Sequence, residues 1–425
     1  MKSVLDWPTS MPILDSSERA SQRGVDDLAI FGGRPAFEQL LHVGRPNIGD
    51  RQKFCSRVDD ILDRRWLTND GPYVSEFEQR IVELTGVKHC IVTCNATIAL
   101  EIAIRALGLK GEVIVPSFTF IATAHALQWQ EITPVFCDID PQTHTIDPKA
   151  IEPLITSKTS GILAVNLWGR HCDIAALEAL AQRHGLKLLF DSAHAFGCSY
   201  QGRMIGGFGD AEVFSFHATK FLNSMEGGAI VTNNDELAQQ TRLMRNFGFT
   251  SYDHVASLGI NGKMSEVCAA MGLTNLESMD EFIAVNRHNY QQYKEELAGL
   301  AGVTLVANDE TEKCNYQYVV LEIDMYRTAV SRDELMKVLY SEKVLARRYF
   351  YPGCHRMAPY KATLADLSLP ETERISERVL SLPTGTSLSP GDISTICEII
   401  KLVVNNGREV STKLRSVAVQ GSKWS

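Results

Sequence analysis

Two short apolar runs in the middle of the chain lead to residues that can do chemistry. KLLFD at 187–191 closes on Asp191, and AEVFSF at 211–216 is followed four residues later by Lys220. A lysine amine adds to carbonyl carbon when unprotonated and carries protons when free. Ser215, five residues before Lys220, adds a hydroxyl. CNATIALEIAI adds backbone N–H groups, because Ala96 and Thr97 open a helical pattern and the positive end of a helix favours an anion. Singly, each of these has an ordinary role: aspartates cap turns and lysines are solvated.

Taken as a set they match one cofactor. Pyridoxal phosphate needs an amine that condenses with its aldehyde, a carboxylate that keeps its pyridine nitrogen protonated, and hydroxyl and N–H donors for its phosphate. Lys220, Asp191 and the Ala96, Thr97 and Ser215 group supply these in turn. The ten cysteines are scattered without CxxC pairs, which argues against a zinc ribbon, and no metal is expected.

The elements that must hold these residues are legible as well. CIVTC at 90–94, EVIVP at 112–116, PVFCDID at 134–140, GILAVNLW at 161–168, KLLFD, AEVFSF and GAIVT at 228–232 alternate with segments such as TIALEIAIRALGL and IAALEALAQRHG, whose apolar residues recur at helical spacing. The alternation predicts a mostly parallel sheet covered by helices on both faces, with ligands at the strand ends. A long helical pattern from about 276 to 300 leads to VTLVA, YQYVVLEI and SRDELMKVLYSEKV, a second and smaller α/β unit. We expect an N-terminal extension over 1–30, a large cofactor-binding domain over 31–285, a small C-terminal domain over 286–410 and a tail over 411–425.

The region from about Phe31 to Leu402 resembles the DegT/DnrJ/EryC1/StrS sugar aminotransferases. The carrying segments are WLTNDGPYVSEFEQ, TCNATIAL, VIVPSFTFIATAHAL, PVFCDIDP, FDSAHAFG, EVFSFHATKFLNSMEGGAIVTN and NGKMSEVCAAMGL. The resemblance implies the aspartate aminotransferase type of fold, fold type I among pyridoxal phosphate enzymes. It makes Lys220 the cofactor lysine and Asp191 the partner of the ring nitrogen. It also puts Ala96, Thr97 and Ser215 around the phosphate and Phe120 on the ring face. His194 stands where many members carry Gln and is expected to hydrogen-bond the cofactor's phenolic oxygen or flank the ring. Asn261, in GINGKMSE, is expected to reach the phosphate of the other subunit, which implies a homodimer with shared active sites. Lys263, Arg347 and Arg348 are the cations expected to meet a nucleotide diphosphate.

Lys220 also separates two branches of the family, because members with His at that position are dehydratases. For the other branch the resemblance implies transfer of an amino group from L-glutamate, by way of pyridoxamine phosphate, to a nucleotide-linked keto-sugar. The segments LWGRHCD, RRYFYPGCH and VLSLPTGT look closest to members acting at C-4 of dTDP-4-keto-6-deoxyglucose. Alternatives are transamination at C-3, a GDP-linked keto-sugar, or a cofactor-binding regulatory protein without turnover. The formal charge of −9 gives no footprint for nucleic acid or an anionic membrane, and no apolar run is long enough to span one. Together with cysteines scattered singly, this suggests a soluble cytoplasmic protein with reduced thiols.

Overall fold

The computed structural model describes residues 23–421. Seven strands form the main sheet: β1 (His89–Thr93), β2 (Glu112–Pro116), β3 (Thr133–Cys137), β4 (Thr159–Val165), β5 (Lys187–Asp191), β6 (Ala211–Ser215) and β7 (Gly228–Thr232), in the order β1-β7-β6-β5-β4-β2-β3. β3, β2, β4, β5 and β6 pair in parallel, and β7 runs antiparallel to both β6 and β1. The expected mostly parallel sheet is therefore mixed at one edge.

Alternation along the strands makes the layers. Ile162, Ala164, Leu188, Phe190 and Phe214 enter one apolar cluster, while their neighbours Leu163, Leu189 and Val213 enter another on the opposite face. The first is closed by residues 269–276, on whose helix α1 (Arg51–Arg64) packs, by α2 (Pro72–Thr85) and by residues 174–181; the second is closed by α3 (Ala96–Ala106), α4 (Ile121–Gln128) and part of the helix 235–245. Strands buried on both faces need this cover, which is why they read as continuous apolar runs. Buried Glu266 accepts the N–H groups of Tyr73 and Val74, each at 2.9 Å, and so occupies orphan donors at the start of α2.

Helix α5 (Ile174–His184) ends on Gly185 at φ 64°, a left-handed position that glycine enters without strain. α6 (Asp235–Arg245) follows β7. The long helical pattern near 276 resolves into α7 (Glu266–Glu277) and α8 (Met279–Glu296), which break at Ser278 where the backbone leaves helical geometry. The smaller unit has the sheet β8 (Val303–Leu305), β9 (Val319–Ile323) and β10 (Val379–Leu382), antiparallel throughout, with α9 (Arg332–Ser341), α10 (Pro370–Arg378) and α11 (Pro390–Asn405).

Both chain ends depart from expectation. Residues 1–22 and 422–425 lie outside the described residues, but Val25 and Leu28 are buried in the core of the smaller unit. Buried Glu342 accepts the Ala29 N–H at 2.7 Å and the Ala36 N–H at 2.6 Å and pairs with Arg23 at 3.1 Å. The polar composition of 1–30 hides this, because two apolar side chains and one carboxylate suffice to dock the segment. The tail begins inside α12 (Gly407–Gly421), where Ser411 is buried and Leu414 packs on the same core. Among the described residues no helix is long and apolar enough to cross a membrane, and no cluster of His, Cys, Asp and Glu is arranged to hold a metal ion.

Candidate active site

β5 and β6 end side by side, which brings Asp191, Ser215 and the loop carrying Lys220 together. Asp191 is buried; its Oδ2 accepts the Thr123 hydroxyl at 2.8 Å and its Oδ1 the Ala193 N–H at 3.2 Å. Burial pushes its carboxyl above the usual range, while these two donors and the Lys220 charge act the other way. Lys220 is half-buried. Burial pushes its amine from 10.5 down to about 8, opposed by Asp191, which favours the free base over an ordinary lysine. Its Nζ makes one loose contact, to Tyr318 Oη at 3.5 Å.

The anion cradle is assembled by backbone packing. Gly228 opposes Ser215 in the β7–β6 register, and a Cβ on Gly228 would lie 2.6 Å from Ala96 N. Only a glycine lets the start of α3 come this close to the sheet. Asn95 caps α3 by accepting the Ile98 N–H at 2.9 Å, a contact worth about 1 kcal/mol, and the N–H groups of Ala96 and Thr97 have no partner within the helix. Ser215, Ala96 and Thr97 thus share one corner, as a phosphate requires.

Phe120 is 56% exposed at the N-cap of α4, although an aromatic next to a strand ordinarily packs inward. Its ring lies 6.3 Å from that of Phe350. His194 is buried; its Nδ1 accepts the Trp168 N–H at 3.2 Å, which assigns the ring proton to Nε2. Burial and Lys220 hold its pKa well below 6.5, so the imidazole is a neutral donor. It lies 4.5 Å from the Tyr318 ring and parallel to Phe350 at 6.1 Å, so it is packed among aromatics in a loop and does not start a helix.

The structure brings Ala96, Thr97, Phe120, Asp191, His194, Ser215 and Lys220 to one cleft at the strand ends of the main sheet, faced by Tyr318 and Phe350. For the remaining four, no hydrogen bond, ion pair or ring contact to these seven is present among the described residues. Asn261 Oδ1 accepts the Lys263 amine at 2.7 Å, and Lys263 also bonds Asn246 and sits 4.9 Å from the Phe247 ring centre. Gly262 is buried with its carbonyl accepting the Cys94 N–H at 2.8 Å; a Cβ there would be 2.9 Å from Ile98, so this loop rests its backbone on α3. Arg347 is exposed. Arg348 is engaged away from the cleft, 3.3 Å from Asp333 and 4.6 Å from the Tyr351 ring centre.

Three contributors escaped the sequence reading. Thr123 orients Asp191, and its only signal was its place one turn into α4. Tyr318 comes from the segment just before β9, far away in sequence, so nothing local pointed to it. Phe350 lay in RRYFYPGCH without a signal that its ring meets Phe120 and His194.

This arrangement has close relatives. A family profile described as the DegT/DnrJ/EryC1/StrS aminotransferase family matches residues 49–401. A dTDP-4-amino-4,6-dideoxy-D-glucose transaminase of Shigella dysenteriae is 36% identical over 88% of this chain and 100% of its own. A GDP-perosamine synthase of Vibrio cholerae is 32% identical over 86% of this chain and 100% of its own. The crystal structure of DesI in the presence of its TDP-sugar product superposes with a TM-score of 0.89 at 49% identity, covering 92% of this chain and 100% of that one.

Proposed function

The chain belongs to the DegT/DnrJ/EryC1/StrS aminotransferase family and has the α/β fold of type I pyridoxal phosphate enzymes, and from this premise we propose that it transfers the amino group of L-glutamate to C-4 of dTDP-4-keto-6-deoxyglucose. The observation that carries the chemistry is the half-buried Lys220 amine, brought by the ends of β5 and β6 to a buried carboxylate and a backbone cradle for phosphate. The donor set fits pyridoxal phosphate. When bound, that group supplies an aldehyde carbon and an electron-withdrawing ring.

The residues divide the work as follows. Asp191, held by Thr123, keeps a proton on the ring nitrogen. Lys220 would hold the cofactor through Nζ, and its amine, when free, would move a proton at the reacting carbon. His194 offers its Nε2 proton to the ring's oxygen, Phe120 covers a ring face, and Ser215 with the Ala96 and Thr97 N–H groups holds the phosphate. Arg347 and Lys263 are the cations for the diphosphate, with Arg348 less available because of Asp333.

A homodimer belongs to the same proposal. Phe247, Phe249, Val255, Leu258 and Ile260 are exposed on the segment that leads to Asn261, an apolar surface that suits a second copy of the chain and would present Asn261 to the partner's phosphate. A cytoplasmic location accords with this chemistry. The C-4 and dTDP assignments rest on the greater similarity to DesI and the Shigella transaminase than to the GDP-perosamine synthase. Incubation with pyridoxal phosphate, L-glutamate and dTDP-4-keto-6-deoxyglucose, followed by NMR of the sugar, is expected to give an amine on C-4. An amine on C-3, or turnover only with a GDP-keto-sugar, would replace that reading with one of its alternatives.

A further inference from the structure

All ten cysteines are free thiols, and the chemistry above uses none of them. Two of them face each other behind the site. Cys198 lies on the chain that leaves Asp191, and Cys314 on the segment that leads to Tyr318. The Ser199 N–H donates to the Lys313 carbonyl at 3.0 Å and the Lys313 N–H to Ser199 Oγ at 2.8 Å, while Asn315 Nδ2 donates to the carbonyls of His194 and Phe196 at 2.9 and 3.0 Å. Rising numbers on one segment meet falling numbers on the other, so they run antiparallel, with Cys198 opposite Cys314. Residues opposed in this way have Cα atoms about 4.5–5.5 Å apart, within the span of a disulfide. A Cβ on Gly169 would lie 3.5 Å from Cys198 Sγ and 3.6 Å from Cys314 Sγ, so both sulfurs converge on one point.

Cys314 also has access and activation. It lines a cavity of ≈ 180 Å³ together with Arg170, Asn308 and Lys313. Arg170 Nη1 and Asn308 Nδ2 are buried polar atoms without a hydrogen-bond partner. The Tyr316 N–H donates to Cys314 Sγ at 3.3 Å. The neighbouring Cys198 thiol, the Tyr316 N–H and the Arg170 charge draw the Cys314 thiol below its ordinary value, while burial pushes Cys198 well above. Nucleophilic cysteines have surroundings of this kind, and Cys198, the more buried of the two, has only to meet a sulfur that already lies beside it.

We propose that Cys198 and Cys314 are a peroxide-oxidisable thiol pair that closes into a disulfide between the Asp191 loop and the segment bearing Tyr318. The Cys314 thiolate attacks one oxygen of hydrogen peroxide; the O–O bond breaks, hydroxide leaves and takes up the thiol's proton as water, and the sulfur becomes a sulfenic acid. The Cys198 thiol attacks that sulfur; the S–S bond forms, the S–O bond breaks, and the departing hydroxide carries off the Cys198 proton as a second water. Two thiols are oxidised and one peroxide is reduced. The bond pins Asn315 and Tyr318 to the loop that carries His194.

The test is a peptide map of the wild-type holoenzyme treated with hydrogen peroxide and alkylated before digestion, with exposed Cys55 as the internal reference. The expected result is a linked peptide joining Cys198 to Cys314, lost on dithiothreitol treatment, forming before Cys55 is consumed. Peroxide should also raise the wild-type Tm but not that of Cys198→Ser, in which Cys314 should be trapped as sulfenic acid. Oxidation of Cys55 with both Cys198 and Cys314 still alkylated, or a link from either to a different cysteine, would overturn the proposal. The wild-type map decides the matter even if Cys198→Ser fails to fold.

Discussion

Three residues upstream of Phe120 lies a cluster with the composition of a hydrolytic triad, and comparing it with the Lys220 cluster shows what makes a site. Ser117 Oγ is 2.6 Å from His355 Nδ1, and His355 Nε2 is 3.1 Å from Glu373. Yet Ser117 and His355 are fully buried, Ser117 Oγ already accepts the His355 N–H at 3.0 Å, and Glu373 is shared with Arg356 at 2.7 Å. Every group has a partner, so nothing is left for a substrate. The cluster braces the loop after β2 against the segment 349–356. Lys220, by contrast, has one loose neighbour, Tyr318 at 3.5 Å, and an amine whose pKa burial lowers. Residue types are alike in kind; spare bonding capacity and access are not.

The sharpest way to break this comparison is Lys220→Ala. Turnover should fall by at least about a thousandfold, with circular dichroism and Tm unchanged because the side chain braces nothing. A large loss of Tm would make Lys220 structural after all. Asp191→Asn keeps the size and the Thr123 contact but removes the charge. It should cost roughly a hundredfold in kcat in steady-state assays, and an unchanged kcat would remove Asp191 from the chemistry.

Ser117→Ala should do the reverse of Lys220→Ala. Denaturant unfolding is expected to lose about 1–3 kcal/mol, because His355 keeps an unpaired ring nitrogen in the interior, while turnover per folded molecule is unchanged. Abolished turnover with intact stability would turn the brace into a site. The smallest effect concerns Glu212, buried behind Asp191, which accepts from Ser192 Oγ at 2.5 Å and from the Gly206 and Phe208 N–H groups at 2.7 and 2.9 Å. Burial raises its carboxyl from 4.5 to about 7, so the folded chain holds this proton more tightly than the unfolded one. The stability this gives is complete below about pH 4.5 and lost as pH rises through about 7. Glu212→Gln carries no titrating group and should flatten that part of the Tm profile; an unchanged slope between pH 5 and 8 would place it elsewhere.

Much of this was legible because local signals and tertiary needs coincide. β2, β5 and β7 begin and end where their apolar runs do, and Asp191 and Lys220 are marked by strand ends, which depend on nearby sequence alone. Thr123, Tyr318 and Phe350 were not, because each reaches the cleft through packing between distant segments. The same holds for Ser117 and His355, 238 residues apart, and for Cys198 and Cys314. Val25 and Leu28 were missed for another reason: two apolar residues in a polar stretch form no period, and only the pocket that receives them shows their role.

The central claim is that the Lys220 cleft carries out amino transfer, and the most direct test needs no sugar. Mixing the pyridoxal phosphate holoenzyme with L-glutamate alone should release 2-oxoglutarate stoichiometric with active sites, accompanied by the matching shift in cofactor absorbance, and the same mixture with Lys220→Ala should release none. Release from the variant at the wild-type rate, or none from the wild type, would contradict the account.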